Sequence, residues 1–412
     1  MKKYFIFVFI ILIFIGIIVG GLAFSKKYVL SNNEVAIIAV EDNETLKIDN
    51  IEDENLKEDA PIIVELEDEE DVIVNISVIG DIMCHNSQYN DAYRNGTYDF
   101  SYVFEDIKHY IESADISIGN LETTFAGKEK GYNSYPNFNT PEALAEDLKE
   151  LGIDVLSTAN NHSLDTGYRG IESTIDYLDM AEVSHTGTYK SIEDQNQILY
   201  KDVNGLKIAF LAYTYGTNGI SVPKGREYCI NLIDKDLIKA QLDFAKEGKP
   251  DVICVNMHWG TEYENIPNSE QLDLENFLFE NGVDIILGSH PHVLQPMESK
   301  VFTMSDGTEK NVFVIYSLGN FMSGQDKQNT RNSIILNMDI VKEGNTKKLR
   351  FDNISYTPIY TYTSPKYKNY KVLDLKKAIA EYENGNPTKY TKAQYDLFRN
   401  ELESVNNRLI LE

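Results

Sequence analysis

The amino-acid sequence predicts an α/β protein in which short buried strands alternate with helices. Six apolar runs of four to six residues each end in polar residues, a pattern typical of strands buried on both faces. The predicted strands are 74–79, 114–118, 153–156, 252–257, 283–287 and 312–316. Helices are predicted between them at 141–152, after Gly167, at 234–247 and at 269–281. Because open α/β sheets bind ligands outside the carboxyl ends of their strands, we expect the polar residues to converge.

The histidines follow the same pattern. Five of the seven lie at or just after a predicted strand end: His85, His162, His258, His290 and His292. We interpret the other two as structural, His109 in a helix predicted at 101–112 and His185 in a strand or turn. Residues two apart in an extended chain project to the same side, and Pro291 disfavours helical backbone at His290. Both histidines that flank Pro291 should therefore face one point.

Six side chains near the strand ends are the predicted metal ligands: Asp81, Glu122, Asn161, His258, His290 and His292. Imidazole nitrogens together with carboxylate and amide oxygens suit a divalent transition metal such as Mn, Fe or Zn. Six ligands exceed one tetrahedral site and suit two ions about 3.5 to 4 Å apart. His162, next to Asn161, is the predicted catalytic residue, which would protonate a leaving oxygen or stabilise negative charge.

A second set of residues is predicted to contact substrate: His85, Asn139, Lys224, Arg226 and Asn320. Lys224 and Arg226 would grip an anionic group, with solvated loop cations as the alternative. Asn139 lies in the loop 127–140, whose aromatic residues would form a wall of the site. Asp165 is interpreted as a helix cap. The three cysteines show no paired spacing and imply no disulfide framework.

The N-terminal segment differs in composition from the rest of the chain. The apolar run from Tyr4 to Phe24 is flanked by lysines and is long enough to cross a hydrocarbon core of roughly 30 Å. We expect a membrane anchor at 1–27, with a cleaved signal peptide as the alternative. Lysines on both sides leave its orientation open. Residues 28–72 are rich in acidic residues and are predicted to be a largely disordered tether.

The remaining chain divides into a body at 73–363 and a C-terminal appendage at 364–412. Strands are predicted at 333–341 and 349–359, followed by helices at 373–382 and 392–409. The net charge of −27 argues against nucleic-acid binding, which needs clustered Lys and Arg. The same charge disfavours an anionic ligand unless a local positive centre such as a metal attracts it.

Seven ordered motifs within about residues 73 to 325 resemble one known family. They are GDIMCH, GNLETT, YPNFNTP, ANNHSLDTG, HWGTEY, GSHPHVLQP and SLGNF, and they are similar to motifs of the CapA family of capsule and poly-gamma-glutamate synthesis proteins. The resemblance implies a calcineurin-like metallophosphoesterase fold, a four-layer α/β/β/α sandwich. It also implies a membrane-anchored protein with an extracytoplasmic body. Its implied partners are an anionic envelope polymer or precursor and other membrane subunits for synthesis or export.

The resemblance carries over to individual residues. Asp81 matches the first aspartate of the metallophosphoesterase pattern, Asn161 and His162 its Asn-His pair, His258 its isolated histidine, and His290 and His292 its closing His-x-His. Two positions depart from the pattern. Met83 replaces a histidine, for which His85 would compensate unless it faces substrate. Asn120 replaces the bridging aspartate, and Glu122 lies two residues further on.

These observations favour a metal-dependent, phosphoesterase-like hydrolase acting in synthesis, export or processing of poly-gamma-glutamate or another anionic polymer. The alternative is a non-catalytic subunit that binds the polymer through metal and basic loops while membrane partners carry out the chemistry. A purely structural envelope protein, which would hold no stoichiometric metal, is a third hypothesis.

Overall fold

The computed structural model describes residues 69–364, 368–385 and 389–409, together with the backbone of three short strands nearer the N-terminus. Residues Met1–Glu69 and Glu70–Glu412 form two separate compact units. The apolar run of the predicted membrane anchor lies outside the described residues, and no helix within them has the length and apolar character needed to cross a bilayer. The anchor therefore stays a prediction.

The secondary structure of the described residues comprises nineteen strands and nine α-helices. The strands are β1 (Lys26–Ser31), β2 (Glu34–Ala39), β3 (Ile62–Val64), β4 (Val72–Ile82), β5 (Tyr93–Arg94), β6 (Thr97–Tyr98), β7 (Ile116–Leu121), β8 (Val155–Ser157), β9 (Ser184–Thr186), β10 (Leu199–Val203), β11 (Leu206–Thr214), β12 (Val252–His258), β13 (Ile285–Ser289), β14 (Met297–Thr303), β15 (Glu309–Ile315), β16 (Asn320–Met322), β17 (Asn332–Lys342), β18 (Leu349–Ser364) and β19 (Lys368–Asp374). The helices are α1 (Asn86–Ala92), α2 (Lys108–Glu112), α3 (Ala143–Leu151), α4 (Tyr168–Met180), α5 (Ile192–Gln195), α6 (Lys235–Glu247), α7 (Ser269–Glu280), α8 (Leu375–Glu383) and α9 (Lys392–Asn406).

The N-terminal unit contains a small antiparallel sheet in the order β2-β1-β3. These three strands lie at the end of the predicted anchor and within the range predicted as a tether. The residues between them lie outside the described part of the chain, so the predicted disorder of that segment stays a prediction.

The second unit is built on two large sheets. One has eight strands, in the order β19-β18-β17-β4-β7-β8-β9 with β16 paired to β4, and the other has six, in the order β10-β11-β12-β13-β15-β14. In the first sheet β4, β7, β8 and β9 are parallel, and in the second β11, β12, β13 and β15 are parallel. All six predicted strands are present, and each belongs to one of these parallel sets. The predicted α/β class is confirmed.

Burial on both faces explains why the six strands consist of continuous apolar runs. Alternate residues of β4, including Ile76 and Val78, pack with Phe210 of β11 and Leu287 of β13 in one apolar cluster. Ile79 belongs to a second cluster, which also contains residues of α3 and α4. A third cluster joins the other face of the six-stranded sheet to α6 and α7. The clusters thus order the layers as helix, sheet, sheet, helix.

The prediction of one helix at 101–112 is wrong for the first half of that range. The structure has a 3-10 turn at Ser101–Val103 and an α-helix only at Lys108–Glu112. Tyr102 and Val103 are both buried, as is Phe104. A continuous helix would place Tyr102 on the side opposite Phe104, whereas the broken segment lets the Tyr102 hydroxyl donate to Asp91 Oδ2 at 2.7 Å.

The C-terminal segment joins the sheet before it forms its two helices. β19 pairs antiparallel with β18, and β17 pairs with β4, so the two predicted late strands extend the eight-stranded sheet. α8 and α9 match the helices predicted at 373–382 and 392–409 within a few residues. They pack on Tyr360 and Leu373 in a separate apolar cluster.

Candidate metal centre

Polar side chains from five strand ends meet in one buried cluster. Asp81 is the penultimate residue of β4, His258 ends β12, and Glu122, Asn161 and His292 follow β7, β8 and β13. His258 Nε2 lies 2.9 Å from Asn161 Oδ1, and His292 Nδ1 lies 3.2 Å from Asp81 Oδ2. The structure therefore brings together ligands that both large sheets supply, because the carboxyl ends of their parallel strands lie at one edge.

Glu122 is common to two groups of possible ligands. Asp81, Glu122 and His258 offer ligand atoms within 4.8 Å of one another, and so do Glu122, His290 and His292. Glu122 Oε1 lies 3.6 Å from His258 Nε2 and 3.7 Å from His292 Nε2. Ligands held about 2.1 Å from one ion are themselves roughly 3 to 3.4 Å apart, so these distances fit a metal site after small adjustments.

Neighbouring groups give His292 the tautomer that a metal needs. Asn320 donates its amide hydrogens to Gln325 Oε1 at 3.0 Å and the Thr330 carbonyl at 2.9 Å. Its oxygen, 3.1 Å from His292 Nδ1, must then accept from that nitrogen. The Nε2 atom of His292 is therefore left with a free lone pair. His258 Nδ1 lies 2.9 Å from Ser289 Oγ, a hydroxyl that can donate or accept.

The backbone of the His-Pro-His segment differs from the prediction. We expected an extended chain, but His290 has φ 97° and His292 has φ 59°, in the left-handed region that non-glycine residues rarely adopt. The Pro291 carbonyl accepts from the Tyr263 backbone N–H at 2.8 Å, a tertiary contact that fixes the turn. The rings still approach each other, with centroids 5.9 Å apart, through the left-handed turn rather than through an extended strand.

Several buried polar atoms of the cluster have no hydrogen-bond partner. They are both carboxylate oxygens of Glu122, Asn120 Oδ1 and His290 Nδ1. Burial, and then the nearby Asp81, raise the pKa of Glu122 well above its usual value. Burial and the other histidines lower the pKa of His258 well below its usual value and that of His290 to about 3. Buried polar atoms without partners are costly, and a divalent cation would supply the partner that Glu122 and His290 lack, so the residues present fit a metal.

The two departures from the family pattern have structural counterparts. Asn120 donates its amide to Asp81 Oδ1 at 2.8 Å, which leaves its own oxygen aimed at no hydrogen-bond donor. Glu122 lies in both ligand groups and so takes the shared position. Met83 is buried. His85 Nδ1 accepts from the Gly324 backbone N–H at 3.0 Å, and burial followed by the nearby His292 lowers its pKa to about 4.

His162 is held beside the cluster by a carboxylate that the sequence analysis assigned to a different role. His162 Nδ1 donates to Asp165 Oδ2 at 2.7 Å, and both side chains are buried. Asp165 Oδ2 also accepts from the Phe138 backbone N–H at 2.7 Å. The interpretation of Asp165 as a cap of α4 is wrong, because α4 begins after Gly167 and has no side-chain cap. The three-residue spacing between His162 and Asp165 is the feature of the sequence from which this pairing could have been predicted.

The aromatic wall predicted from the loop 127–140 is present in part. The ring of Phe138 meets those of His162 and His85 edge-on, with centroids 4.8 and 5.2 Å apart. Both polar groups of the Asn139 side chain bond to backbone atoms. Its oxygen accepts from Ala126 N at 2.7 Å, and its amide donates to the Gly131 carbonyl at 2.8 Å. Asn139 therefore shapes the wall.

The predicted basic residues lie elsewhere. Lys224 is exposed, and the Arg226 guanidinium lies 3.7 Å above the Tyr168 ring. No described contact joins either residue to the cluster. Lys327 is a cation that sequence reasoning missed: its ammonium lies 3.5 Å from the centroid of Tyr263, and that ring lies 6.1 Å from His292. The aromatic Tyr215, with its centroid 4.4 Å from His290, was also missed.

The fold and the cluster define a mixed α/β protein with a candidate metal centre at the carboxyl ends of its parallel strands. The sequence profile of the family described as "Bacterial capsule synthesis protein PGA_cap" matches residues 75–325. The chain belongs to this family, which confirms the resemblance drawn from the seven motifs.

Individual relatives agree with the family assignment. The chain is 30% identical to "Capsule biosynthesis protein CapA" of Bacillus anthracis over 66% of this chain and 65% of that protein. It is 29% identical to "PGA biosynthesis protein CapA" of Bacillus subtilis over 66% of this chain and 70% of that protein. The matched region thus spans about two thirds of each relative. A solved structure, the calcineurin-like phosphoesterase YfkN of Bacillus subtilis, is similar with a TM-score of 0.41 and 15% identity, covering 70% of this chain and 90% of that one.

Proposed function

We propose that this protein is a metal-dependent hydrolase of the metallophosphoesterase type that acts in the synthesis, export or processing of an anionic envelope polymer. Asp81, Glu122, Asn161, His258, His290 and His292 would hold the metal, with two divalent ions sharing Glu122. Such ions supply positive charge that polarises an ester and acidifies water. The proposal also includes the N-terminal membrane anchor and an extracytoplasmic body.

The observation that carries the proposal is the state of Glu122. Its two carboxylate oxygens are fully buried and accept no hydrogen bond, while imidazole nitrogens of His258 and His292 lie 3.6 and 3.7 Å away. An ionised carboxylate buried without partners costs several kcal/mol or more. A protein assembled only for stability would not collect four ionisable side chains around such a group, namely Asp81, His258, His290 and His292, whereas a cation-binding site requires them.

The residues of the chain itself supply the proton transfer. Asp165 accepts the Nδ1–H of His162 and so orients its ring, which leaves Nε2 as the nitrogen from which the imidazolium would donate a proton to a leaving oxygen. Phe138 packs edge-on against this ring and limits the orientations open to it. The exposed Lys327, stacked on Tyr263, is placed to attract an anionic substrate toward His292.

The polymer assignment is supported by the family. The names of two relatives specify biosynthesis of a capsule and of PGA, and a metal centre explains how a chain of net charge −27 could bind an anion. We therefore propose poly-gamma-glutamate or a related anionic polymer, or its precursor, as the substrate.

Turnover by a His162→Ala variant tests the proposal. The full chain would be equilibrated with Mn²⁺ or Zn²⁺, dialysed and assayed for metal content and for cleavage of bis(p-nitrophenyl) phosphate and of poly-gamma-glutamate. His162→Ala should retain the metal and lose roughly 100-fold or more in turnover, whereas His109→Ala, on the exposed face of α2, should change neither.

Two results would contradict the proposal. A wild-type chain that retains no metal after dialysis would remove its basis. A chain that retains metal and binds the polymer, but cleaves neither substrate, would instead support the non-catalytic polymer-binding role.

A further inference from the structure

A second cavity, of about 530 Å³, lies apart from the metal cluster and shares no residue with it. Its lining includes four tyrosines, Tyr93, Tyr98, Tyr132 and Tyr177, and two glutamates, Glu142 and Glu146. Neither the family motifs nor the proposed hydrolysis uses any of these side chains. The volume is sufficient for a small ligand or for a side chain of a larger one.

Local structure builds the walls of this cavity. The two-residue strands β5 and β6 form a hairpin whose turn residues Asn95 and Gly96 both have positive φ, 53° and 91°, as a tight hairpin turn requires. The hairpin presents Tyr93 and Tyr98. Glu142 immediately precedes α3, Glu146 lies in the first turn of that helix, and α4 presents Tyr177. The cavity therefore rests on defined secondary structure.

The tyrosine rings are arranged around the Glu142 carboxylate. Tyr132 donates its hydroxyl to Glu142 Oε2 at 2.9 Å. Tyr98 meets Tyr132 in a T-shaped contact with centroids 5.2 Å apart, and Tyr93 lies 5.0 Å from Tyr98. Burial and the Glu142 charge raise the pKa values of Tyr98 and Tyr177, so these hydroxyls stay neutral near physiological pH.

The charge of the lining is negative. Glu142 and Glu146 contribute two negative charges and Lys128 one positive charge, which leaves a net charge of −1. Arg94 of the hairpin does not neutralise it, because its guanidinium lies over the Tyr102 ring at 3.5 Å. Tyrosine faces attract cations through the ring quadrupole, and neighbouring carboxylates add direct charge attraction.

We propose that this cavity binds the ammonium group of an organic ligand, such as a primary amine or a lysine side chain. The ammonium would lie among the tyrosine rings and pair with Glu142, and Glu146 would add to the negative field. An anionic ligand is disfavoured by the same two carboxylates. A neutral ligand would gain ring contacts but no charge attraction. A charged probe and a neutral probe of similar shape should therefore bind with different affinities.

Calorimetric titration of the full chain with Nα-acetyl-lysine methylamide tests this assignment. We expect saturable binding that weakens roughly tenfold or more when the ε-amine is acetylated, since the acetylated probe keeps the shape but loses the charge. Equal binding of both probes, tighter binding of Nα-acetyl-glutamate methylamide, or no saturable binding of the lysine probe would each overturn the proposal.

Substitutions locate the binding to this cavity. Glu142→Gln preserves an acceptor for the Tyr132 hydroxyl and should weaken binding of the lysine probe roughly tenfold, whereas Glu129→Gln, at an exposed position outside the lining, should leave it unchanged. Tyr93 is 54% exposed, so Tyr93→Ala should fold normally, as thermal unfolding would verify, and weaken binding about threefold. Unchanged affinity in both Glu142→Gln and Tyr93→Ala would refute the site.

Discussion

Glu122 is the side chain of the metal cluster whose burial without a cation costs the most electrostatic free energy. Its buried oxygens have no hydrogen-bond donor, and the neighbouring Asp81 carboxylate opposes its ionisation. A cation between them would turn this repulsion into attraction. The free energy of unfolding should therefore respond to substitution at this residue in opposite directions with and without metal.

Glu122→Gln should abolish stoichiometric metal binding. Its effect on the free energy of unfolding should also have opposite signs in EDTA and in saturating metal. In EDTA the variant should be as stable as the wild type or more stable by about 1 kcal/mol, because a buried carboxylate is removed. With saturating Mn²⁺ it should be less stable, because only the wild type gains binding energy. Thermal unfolding with elemental analysis measures both effects.

A matched control is Glu247→Gln on the exposed surface of α6, which should alter neither metal content nor unfolding temperature. Full metal retention by Glu122→Gln would contradict the shared-ligand role of this residue.

His290 illustrates how backbone strain is retained at the cluster. At φ 97° any side chain is strained, and only glycine adopts this region freely. In EDTA, His290→Gly should therefore be more stable than His290→Ala by about 1 kcal/mol, although both lack the imidazole. His109, within α2, should show the opposite order, with Ala more stable than Gly by about 1 kcal/mol. Chemical denaturation of the four variants measures the difference, and equal stability of the two His290 variants would show that the turn is unstrained.

At the scale of elements, α3 has a carboxylate whose titration should affect stability. Asp147 accepts from the Phe100 backbone N–H at 2.7 Å, and burial raises its pKa from the ordinary value of 3.8 to about 6. The folded state therefore binds more protons than the unfolded state between these two values. The resulting penalty is absent below about pH 4 and fully present above about pH 6.

Asp147→Asn should consequently be more stable than the wild type at pH 7 and equal to it near pH 3.5. We expect the variant to be more stable by about 1 kcal/mol at pH 7. This difference is smaller than the full pKa shift would give, because the side chain is only partly buried and solvent screens its charge. Denaturant unfolding at a series of pH values measures the difference. Asp243→Asn on α6 is the control of opposite sign, since Lys239 and Lys246 lower the pKa of Asp243. If the stability difference between Asp147→Asn and the wild type does not change with pH, the raised pKa of Asp147 is contradicted.

At the scale of the whole molecule, the net charge of −27 should repel the proposed polymer. Raising the salt concentration from about 20 to about 200 mM shortens the screening length from roughly 20 to 7 Å. We therefore expect the KM for poly-gamma-glutamate to fall severalfold as salt rises, the reverse of an ordinary attractive encounter. Lys327→Gln should raise KM at low salt, and Lys239→Gln on α6 should not. A KM that rises with salt would show that local basic residues outweigh the net charge.

The sequence predicted those parts of the site that depend on strand ends. Burial on both faces makes β12 and β13 recognisable as apolar runs, and His258 and His292 could be assigned because they stand where those runs stop. Asp165 was assigned to the wrong role, since capping and ring orientation use the same three-residue spacing. Lys327 could not be found at all, because its contact with Tyr263 joins two loops that are remote in the chain.

The α/β class, the family and the residues of the candidate metal centre could all be predicted from the order of the amino acids. These follow from local properties, namely continuous apolar runs and short motifs in a fixed order. Three features became evident only in the folded chain. Glu122 is shared between two ligand groups, His290 and His292 have left-handed backbone, and Tyr98 and Glu142 border one cavity. The reason is physical: such features depend on contacts between distant segments, and those contacts outweigh the conformational preferences of each segment alone.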